Sequence, residues 1–255
     1  MNFLDMATFN YLQFLEGLQS DLSPLLVAPN ALSLQLNCNT SYRLGSIYKR
    51  LGYSRVQGTI EAGNAITGLF HFRQNSSTIE TLATVNDATD DDTQLFYRTT
   101  GAWIEIAAAE TAWAGVANAA VEMESFIEYC FFVGWDVTDG FLPVASLTAT
   151  TTFSTATNVG SMPQAKFIKR FRDRLYIGNC RIAPTNYPHR VYYSSTPSAG
   201  AITWTPATDF IAVDHSEEIT GLGENWDRLI VFTEYSAYMH NQAENKKVWD
   251  VGCSN

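Results

Sequence analysis

Charged side chains are scarce in this chain, and basic ones are the scarcest. Only 16% of the 255 residues are charged, the formal net charge is −10, and no Lys or Arg lies between residues 99 and 165. Proteins that hold DNA tightly neutralise its phosphates with Lys and Arg. We therefore expect a surface that DNA passes without being specifically bound, since like charges repel.

Long apolar runs are also missing. No stretch of about 18 apolar residues occurs, so the sequence predicts no transmembrane helix and no membrane insertion by this chain. Residues 1–18 carry Asp5 where a secretory signal would carry basic residues. The same segment spaces its apolar residues as a helix does, at Leu4, Tyr11, Leu15 and Leu18. We interpret it as a short amphipathic helix or an extended arm that packs on its own domain or on a neighbour.

Cysteine is rare, and the four cysteines stand far apart. They are Cys38, Cys130, Cys180 and Cys253, and no two form a C-x-x-C pair. Zinc sites need closely spaced ligands, so this spacing excludes the common zinc motifs. Cys130 lies in an apolar run, which is typical of a small core residue. We expect free thiols in a reducing compartment and no bound metal.

Residues that carry chemistry occur singly or in ordinary loop contexts. The four histidines, His71, His189, His215 and His240, have neither H-x-H nor H-E-x-x-H spacing. Four short segments match known sites only in part: Asp90–Asp92, Ser194–Ser195, Asp214 with Glu217–Glu218, and Gly221–Gly223. The Asp segment lacks the glycine and distal Glu of a calcium loop, and the Ser pair lacks a G-x-S-x-G elbow. The group of carboxylates lacks an acid/base context, and the Gly segment lacks the third glycine of a phosphate-binding loop. We predict no catalytic, cofactor-binding or metal-binding residue and no enzymatic activity.

What the chain does contain is a repeated pair of short apolar strands joined by a polar turn. Ile66-Thr67-Gly68-Leu69 returns near the other end as Ile219-Thr220-Gly221-Leu222, and related pairs begin near Met123 and Lys166. Tyr, Phe, Trp, Thr, Ile and Val are plentiful, which suits half-buried pleated surfaces. Units of about 40–50 residues with this pattern are typical of β-propeller blades. A blade cannot bury its own faces, so it needs neighbours.

The pattern divides the chain into a leader and a series of blades. We interpret residues 1–60 as an N-terminal arm and extended leader, and residues 61–255 as blades. The first unit is predicted to hold strands at 66–73, 78–85, 94–99 and 102–107, with an acidic loop at 86–93. Later units run from 111 to 146, from 165 to 210 with a strand that starts at 202, and from 217 onward. Segment 148–161 is either an edge strand or a linker.

The fold class that follows is all-β: a β-propeller-like array of four-stranded antiparallel blades, incomplete, with about 3–4 blades in the chain. The last blade is expected to be truncated, because only Val248–Val251 remains after the strand at 235–239. Three explanations stay open: a truncated product, a fragment, or half of a ring that another chain completes. An incomplete blade exposes strand edges, so we expect a partner edge or an oligomer.

Five basic residues follow the stretch without Lys or Arg: Lys166, Lys169, Arg170, Arg172 and Arg174. One interpretation is a contact with phosphate or with an acidic neighbour. The other is a solvated hairpin whose turn lies at Lys169–Asp173. Charge clusters are common on solvated turns, which favours the second interpretation.

Three groups of short phrases resemble tailed-phage virion proteins that form the tail nozzle, or the tail tubular component that stabilises packaged DNA. The first is Gly17–Leu26 with Asn37-Cys38 and Leu44–Tyr53, which is similar to the opening of these proteins. The second is Phe171–Asn179 with His189–Ser194, and the third runs from Thr220–Leu222 through Asn225–Phe232 to Tyr238. The resemblance implies a β-propeller virion protein of the tail or neck, assembled in the host cytoplasm. It implies no enzymatic role and supplies no site residues.

The resemblance also implies how such a protein would act. Copies would form a homo-oligomeric ring around the DNA channel and contact other virion proteins, such as the portal, an adaptor or the tail. One alternative is a carbohydrate-binding propeller of a receptor-binding or lectin-like kind, with Trp103, Trp113, Trp135 and Trp204 as sugar-stacking candidates. Another is a propeller glycosidase, which needs paired carboxylates at the axis, about 5–10 Å apart.

Overall fold

A computed structural model describes residues 38–39, 48–49, 60, 65–73, 79–87, 92–98, 102–148, 152–214, 216–240 and 245–250. The chain divides into two compact units, Met1–Val56 and Gln57–Asn255. In the first unit, strands β1 (Cys38–Asn39) and β2 (Tyr48–Lys49) pair antiparallel. The predicted arm helix at residues 1–18 lies outside the described residues.

The second unit is mostly β, and its described strands form four antiparallel sheets with one short helix. Sheet I contains β3 (Ile66–Arg73), β4 (Ile79–Asp87), β5 (Asp92–Arg98) and β6 (Trp103–Glu105), in chain order. The predicted loop at 86–93 is wrong at both ends, because Asn86 pairs with Thr93 and Asp87 pairs with Asp92. Asn and Asp are poor strand formers, yet Asn86 and Asp92 are buried within this sheet.

The predicted strand at 102–107 ends at Glu105, and helix α1 (Ala107–Trp113) follows. Ala is the best helix former, and the helix buries Ala109 and Trp113, which lie one turn apart on one face. The Trp113 ring meets Phe132 and Phe153 edge-on, and its Nε1 donates a hydrogen bond to the Pro143 carbonyl at 2.9 Å. Since so short a helix is marginal alone, this packing stabilises it.

Sheet II follows the helix and joins its strands in the order β11-β10-β8-β7, with β9 paired to β8. Its strands are β7 (Ala120–Phe126), β8 (Tyr129–Asp136), β9 (Gly140–Phe141), β10 (Ala145–Thr148) and β11 (Phe153–Ser154). The sequence left two alternatives for segment 148–161, an edge strand or a linker. Its residues 153 and 154 form the edge strand, and turns and bends follow them.

Sheet III is a four-stranded meander. Its strands are β12 (Gln164–Phe171), β13 (Arg174–Ile182), β14 (Thr185–Tyr193) and β15 (Phe210–Ala212). The strand predicted to start at residue 202 is wrong, because Trp204 makes only an isolated bridge with Ser194. The Trp204 indole is buried and donates a hydrogen bond to the Asn158 carbonyl at 3.0 Å. The apolar residues around Trp204 therefore form a loop that fills the core, although their sequence resembles that of a strand.

Sheet IV also has four strands in chain order. They are β16 (Ile219–Asn225), β17 (Arg228–Thr233), β18 (Ser236–His240) and β19 (Asn245–Asp250). The prediction of a truncated last blade is therefore wrong in strand number. It failed because the polar start of β19, Asn245-Lys246-Lys247, did not read as strand, although it pairs with β18. An edge strand needs backbone pairing more than it needs apolar residues.

The sheets of the second unit stack on one another through alternating residues of their second strands. In β8, Cys130 and Phe132 join a core with sheet I, whereas Phe131 and Val133 join a core with sheet III. Successive residues of a strand point to opposite faces, so one strand serves two interfaces. We call the face toward the preceding sheet the rear face, and the opposite face the front face.

The same alternation continues in the next two sheets. Leu175 and Ile177 of β13 join the core with sheet II, and Tyr176 between them joins the core with sheet IV. In β17, Leu229 and Val231 are the rear residues that pack toward sheet III. Each interface is therefore built by the front face of one sheet and the rear face of the next.

Three hairpins that join a first strand to a second strand share one tight turn. The loops have two residues each, and their first residues have left-handed backbones: Ile127 (φ 59°), Arg172 (φ 53°) and Trp226 (φ 57°). Such turns match the twist of paired strands, but they favour Asn or Gly at that position. The same turn therefore recurs between the first and second strands of sheets II, III and IV.

Candidate functional site

The first strands of the four sheets lie side by side. β3 contacts β7, β7 contacts β12, and β12 contacts β16. Between them lies a groove of about 410 Å³, which we call the inner-strand groove. It is lined by Leu69, Phe70, Val121, Glu122, Met123, Glu124, Ile168, Lys169 and Leu222. All four sheets therefore contribute to one cleft, and the described strands show no closure of the series into a ring.

A glycine sets the distance between the first two inner strands. A Cβ placed on Gly68 of β3 would lie 2.9 Å from the Val121 carbonyl oxygen of β7 and 2.6 Å from Thr84 Oγ1. Contacts this short do not occur for real Cβ atoms, so only glycine allows the backbones to approach so closely. The pairing register of β3 shifts between Ile66 and Gly68. A bulge of this kind bends a strand and changes the direction of its side chains.

Polar contacts join sheets II and III across the groove. The Ile168 N–H of β12 donates a hydrogen bond to Glu122 Oε2 at 2.9 Å, and Lys169 Nζ lies 3.3 Å from Glu124 Oε2. Desolvation of the carboxyl end of Glu122 raises its pKa, Glu124 raises it further, and the Ile168 hydrogen bond opposes both. The residue as a whole is exposed, so only its carboxyl end is desolvated in the groove. One contact uses an N–H group of β12 and the other a side chain of β12, and both reach β7 of the preceding sheet.

A second set of contacts joins sheets III and IV. Arg172 Nη2 lies 3.4 Å from Asp227 Oδ2, and Lys166 Nζ lies 4.0 Å from Glu218 Oε2. The same ammonium group sits 3.9 Å above the centre of the Trp135 ring in sheet II. Lys166 therefore bridges the sheets on both sides of its own, with a cation–π contact on one side and an ion pair on the other.

The structure resolves the two interpretations of the basic cluster. The turn is shorter than the predicted Lys169–Asp173, because Phe171 pairs with Arg174 and only residues 172 and 173 form the loop. Three of the five side chains, Lys166, Lys169 and Arg172, make ion pairs, and their partners are acidic residues of the adjoining sheets. The acidic neighbour therefore lies within the chain.

The other two basic residues of the cluster differ from these three. Arg174 donates a hydrogen bond to the Ser194 carbonyl at 2.9 Å. Arg170 is exposed on β12. The cluster thus presents less free positive charge than its sequence suggests.

Other residues considered from the sequence take structural roles. Both Glu217 carboxylate oxygens accept hydrogen bonds, one from the Thr233 hydroxyl and one from the Ser236 hydroxyl. Ser194 is buried, accepts a hydrogen bond from the Leu175 N–H and donates one to the Ser195 carbonyl. Asp214 accepts hydrogen bonds from the N–H and hydroxyl of Ser216.

The remaining candidates are dispersed. Gly221 and Gly223 lie within strand β16, Asp92 within β5, His71 is exposed on β3, and His215 lies outside the described residues. Among the described residues, no three His, Cys, Asp or Glu side chains are grouped in a way that could hold a metal ion.

The cysteines of sheets II and III, Cys130 and Cys180, are buried free thiols. Cys130 lies in the core between sheets I and II, and Cys180 in the core between sheets II and III. Burial raises the pKa of both thiols well above the usual value. A thiol that stays protonated is a poor nucleophile, so these cysteines act as core residues, as predicted for Cys130.

The tryptophans proposed as sugar-stacking candidates are largely unavailable. Trp113 and Trp204 are buried, and Trp103 and Trp135 are half-buried. A different tryptophan, Trp226, stands in solvent: it is 94% exposed at the β16–β17 turn. Sequence reasoning missed it because the residue lay inside an apolar strand phrase, and only the position of the turn reveals its exposure.

Glu122 and Glu124 are the carboxylates in the groove that come nearest to the glycosidase pattern. Both are on β7, two residues apart, and therefore project from the same face of the strand. Glu122 accepts the Ile168 N–H and Glu124 pairs with Lys169, so both already hold β12 in place. Their arrangement is accounted for by the joining of two sheets.

The chain matches no protein-family model and no curated protein at a significant level. No helix that the structure describes is both long and apolar enough to cross a membrane.

Proposed function

We propose that this protein is a structural component of a tailed-phage virion, in the tail or neck, and that its sheets are blades of a β-propeller-like array. Several copies would surround the DNA channel as a nozzle or DNA-stabilising adaptor and would contact other virion proteins. The role is one of shape and assembly, without catalysis or a cofactor.

The observation that carries this proposal is the cross-linking of successive sheets through β12. Lys169, Ile168 and Lys166 of this one strand hold groups in sheets II and IV. Polar contacts of this kind at the ends of well-packed apolar cores resist sliding of one sheet past another. Rigidity of that kind suits a part that withstands pressure or force.

The charge distribution supports the proposed passage of DNA. The protein has a formal net charge of −10, and three residues of its densest basic cluster are paired with carboxylates of the same chain. Paired cations release few counterions from DNA, so they add little phosphate affinity. We expect retention on immobilised duplex DNA to be weak and to vanish at moderate salt.

The direct test is the composition of purified virions. Mass spectrometry and immunogold labelling should find the protein at the tail or neck, in multiple copies. The native mass of the purified protein, beside low-resolution images, should show a ring. Presence in infected cells together with absence from virions would contradict the proposal.

Carbohydrate binding is the second candidate, and Trp226 favours it. A Trp ring exposed at a hairpin tip beside Asp227 can stack on a sugar while the carboxylate accepts hydroxyl hydrogen bonds. Binding to a glycan array that disappears in Trp226→Ala, but not in Tyr235→Ala at another exposed aromatic, would favour this function over the structural one.

A further inference from the structure

The front face of sheet IV is apolar along β16, β17 and β18, up to Arg228 at the first position of β17, and no residue of another described sheet is seen to pack on it. Its members follow from the strand register, in which Phe232 pairs with Gly221 and Ala237, and Ile230 pairs with Gly223 and Met239. Paired residues share a face, and their neighbours Leu229 and Val231 are the buried rear residues. Phe232 is 46% exposed, and the other side chains of this face are partly exposed.

The equivalent face of sheet III is covered by the sheet that follows it. Tyr176 pairs with Tyr193, and Gly178 pairs with Val191, just as Ile230 pairs with Met239 and Phe232 with Ala237. Tyr176 and Val191 are buried, because sheet IV covers them. A Cβ on Gly178 would lie 3.1 Å from Ile219 Cγ2 of sheet IV.

Gly68 of sheet I and Gly221 of sheet IV occupy equivalent positions in the repeated phrase, so their surroundings can be compared. Gly68 faces the inner strand of the following sheet, with the Val121 carbonyl 2.9 Å from its Cβ position. Gly221 stands at the same place in the phrase and after the same register shift, but among the described residues its Cβ position meets only Phe232 of its own sheet, at 3.8 Å. The surface that receives a neighbour in sheet I is therefore present and open in sheet IV.

The charges that flank this face are arranged to match a second copy. The front positions of β17 are Arg228, Ile230 and Phe232, and Glu234 follows in the bend directly after the strand: a cation, two apolar residues and an anion. Arg228 and Glu234 are exposed, and neither forms an ion pair with another residue that the structure describes. A second copy placed in the opposite direction presents the anion opposite the cation, the cation opposite the anion, and apolar residues between them.

We propose that the protein, free in solution, forms a two-fold dimer through the front face of sheet IV, with the two β17 strands stacked in opposite directions. Arg228 of each copy then meets Glu234 of the other, and the Ile230 and Phe232 side chains pack between these pairs. A two-fold contact uses the same patch on both copies. It is independent of the proposed virion role, in which ring contacts would be head-to-tail and would replace it.

Sedimentation of the full chain over a wide concentration range tests the dimer. We expect a monomer–dimer equilibrium that Phe232→Glu shifts to monomer. Val137→Glu is the matched control, because it replaces an 80% exposed apolar residue of sheet II, away from this face. A protein that stays monomeric at every concentration, or a dimer that Phe232→Glu leaves intact, overturns the proposal.

Charge reversal tests the strand direction without touching the apolar residues. Arg228→Glu alone or Glu234→Arg alone places like charges opposite each other twice per dimer, so each should weaken association by about tenfold or more. The double variant Arg228→Glu/Glu234→Arg restores opposite charges and should regain most of the affinity. Single variants without effect, or a double variant weaker than either single one, would overturn the opposed arrangement.

Discussion

Replacing Gly68 by Ala should separate sheet I from sheet II, whereas the same change at Gly221 should be tolerated. The two glycines occupy the same place in Ile-Thr-Gly-Leu phrases, with the same register shift. At Gly68 the new methyl group meets Thr84 Oγ1 at 2.6 Å, the Val121 carbonyl at 2.9 Å and Met123 Cε at 3.0 Å. Thr84 and Met123 can rotate, but the carbonyl belongs to the backbone of β7.

The magnitude follows from two opposing effects. Gly→Ala at a compatible position stabilises by about 0.4–1 kcal/mol through the unfolded state. Overpacking against a rigid neighbour costs about 1–3 kcal/mol. We therefore expect Gly68→Ala to lose roughly 1–2 kcal/mol and Gly221→Ala to be neutral or slightly stabilising, so that the two differ by about 2 kcal/mol.

Unfolding by urea, followed by tryptophan fluorescence and by circular dichroism, measures this difference. A domain of about 200 residues shifts its Tm by about 2–4 °C per kcal/mol, so the two variants should be well separated in a thermal scan. Equal stabilities for Gly68→Ala and Gly221→Ala would refute the close approach of β3 and β7. A large loss in both would point to the backbone conformation at the shared bulge as the cause.

Three further changes test the sheet contacts and the hairpin turn. Lys169→Met leaves a partly buried carboxylate without its ion-pair partner and should lower the unfolding free energy by about 1 kcal/mol, whereas Met at the adjacent exposed Arg170 should change it by less than about 0.5 kcal/mol. Glu122→Gln keeps the acceptor for the β12 N–H group but removes a carboxylate whose pKa is raised in the folded state. That carboxylate destabilises the fold as pH rises through its folded pKa. At neutral pH the Gln variant should therefore be more stable than the wild type, by less than about 1 kcal/mol after solvent screening, and below pH ~4.5 this advantage should vanish. Urea unfolding at neutral pH and below pH ~4.5 measures the difference. Ile127→Asn should stabilise by about 0.5–1 kcal/mol in thermal unfolding, because Asn tolerates the left-handed backbone at φ 59°, whereas Asn at Ile104, a similarly exposed strand residue, should destabilise.

Local signals in the sequence predicted much of the strand content. The phrase at 66–73 is observed as β3 with the predicted bounds, and the paired runs around residues 171–177 and 226–232 are observed as hairpins. These elements are short, mostly apolar runs bounded by polar turn residues, so their own sequence defines them. The strand Asn245–Asp250 was predicted only in part, because its first half is polar and its pairing with β18 comes from the neighbouring strand.

Contacts between sheets were beyond local sequence reasoning. The Ile168 N–H group bonds Glu122, which lies 46 residues earlier, and no periodicity connects the two. The basic cluster was visible in the sequence, but its acidic partners come from two other sheets and depend on the stacking order. Trp113 was considered for sugar binding because the sequence gives a residue's type and not its burial; in the fold it is the last residue of helix α1, and its side chain is buried.

The repeated front and rear faces explain why identical phrases have different consequences in this fold. The phrase Ile-Thr-Gly-Leu forms a strand with a register shift and a glycine on its front face, in both sheet I and sheet IV. Whether that face is buried depends on which sheet follows it, which is a property of position in the series. Equivalent residues thus have different surroundings: Gly68 packs against β7 of sheet II, whereas the face around Gly221 meets no other described sheet, and this is the face that we propose for the dimer. Folding assays should therefore detect changes at the first position, and association assays should detect changes on the face around the second.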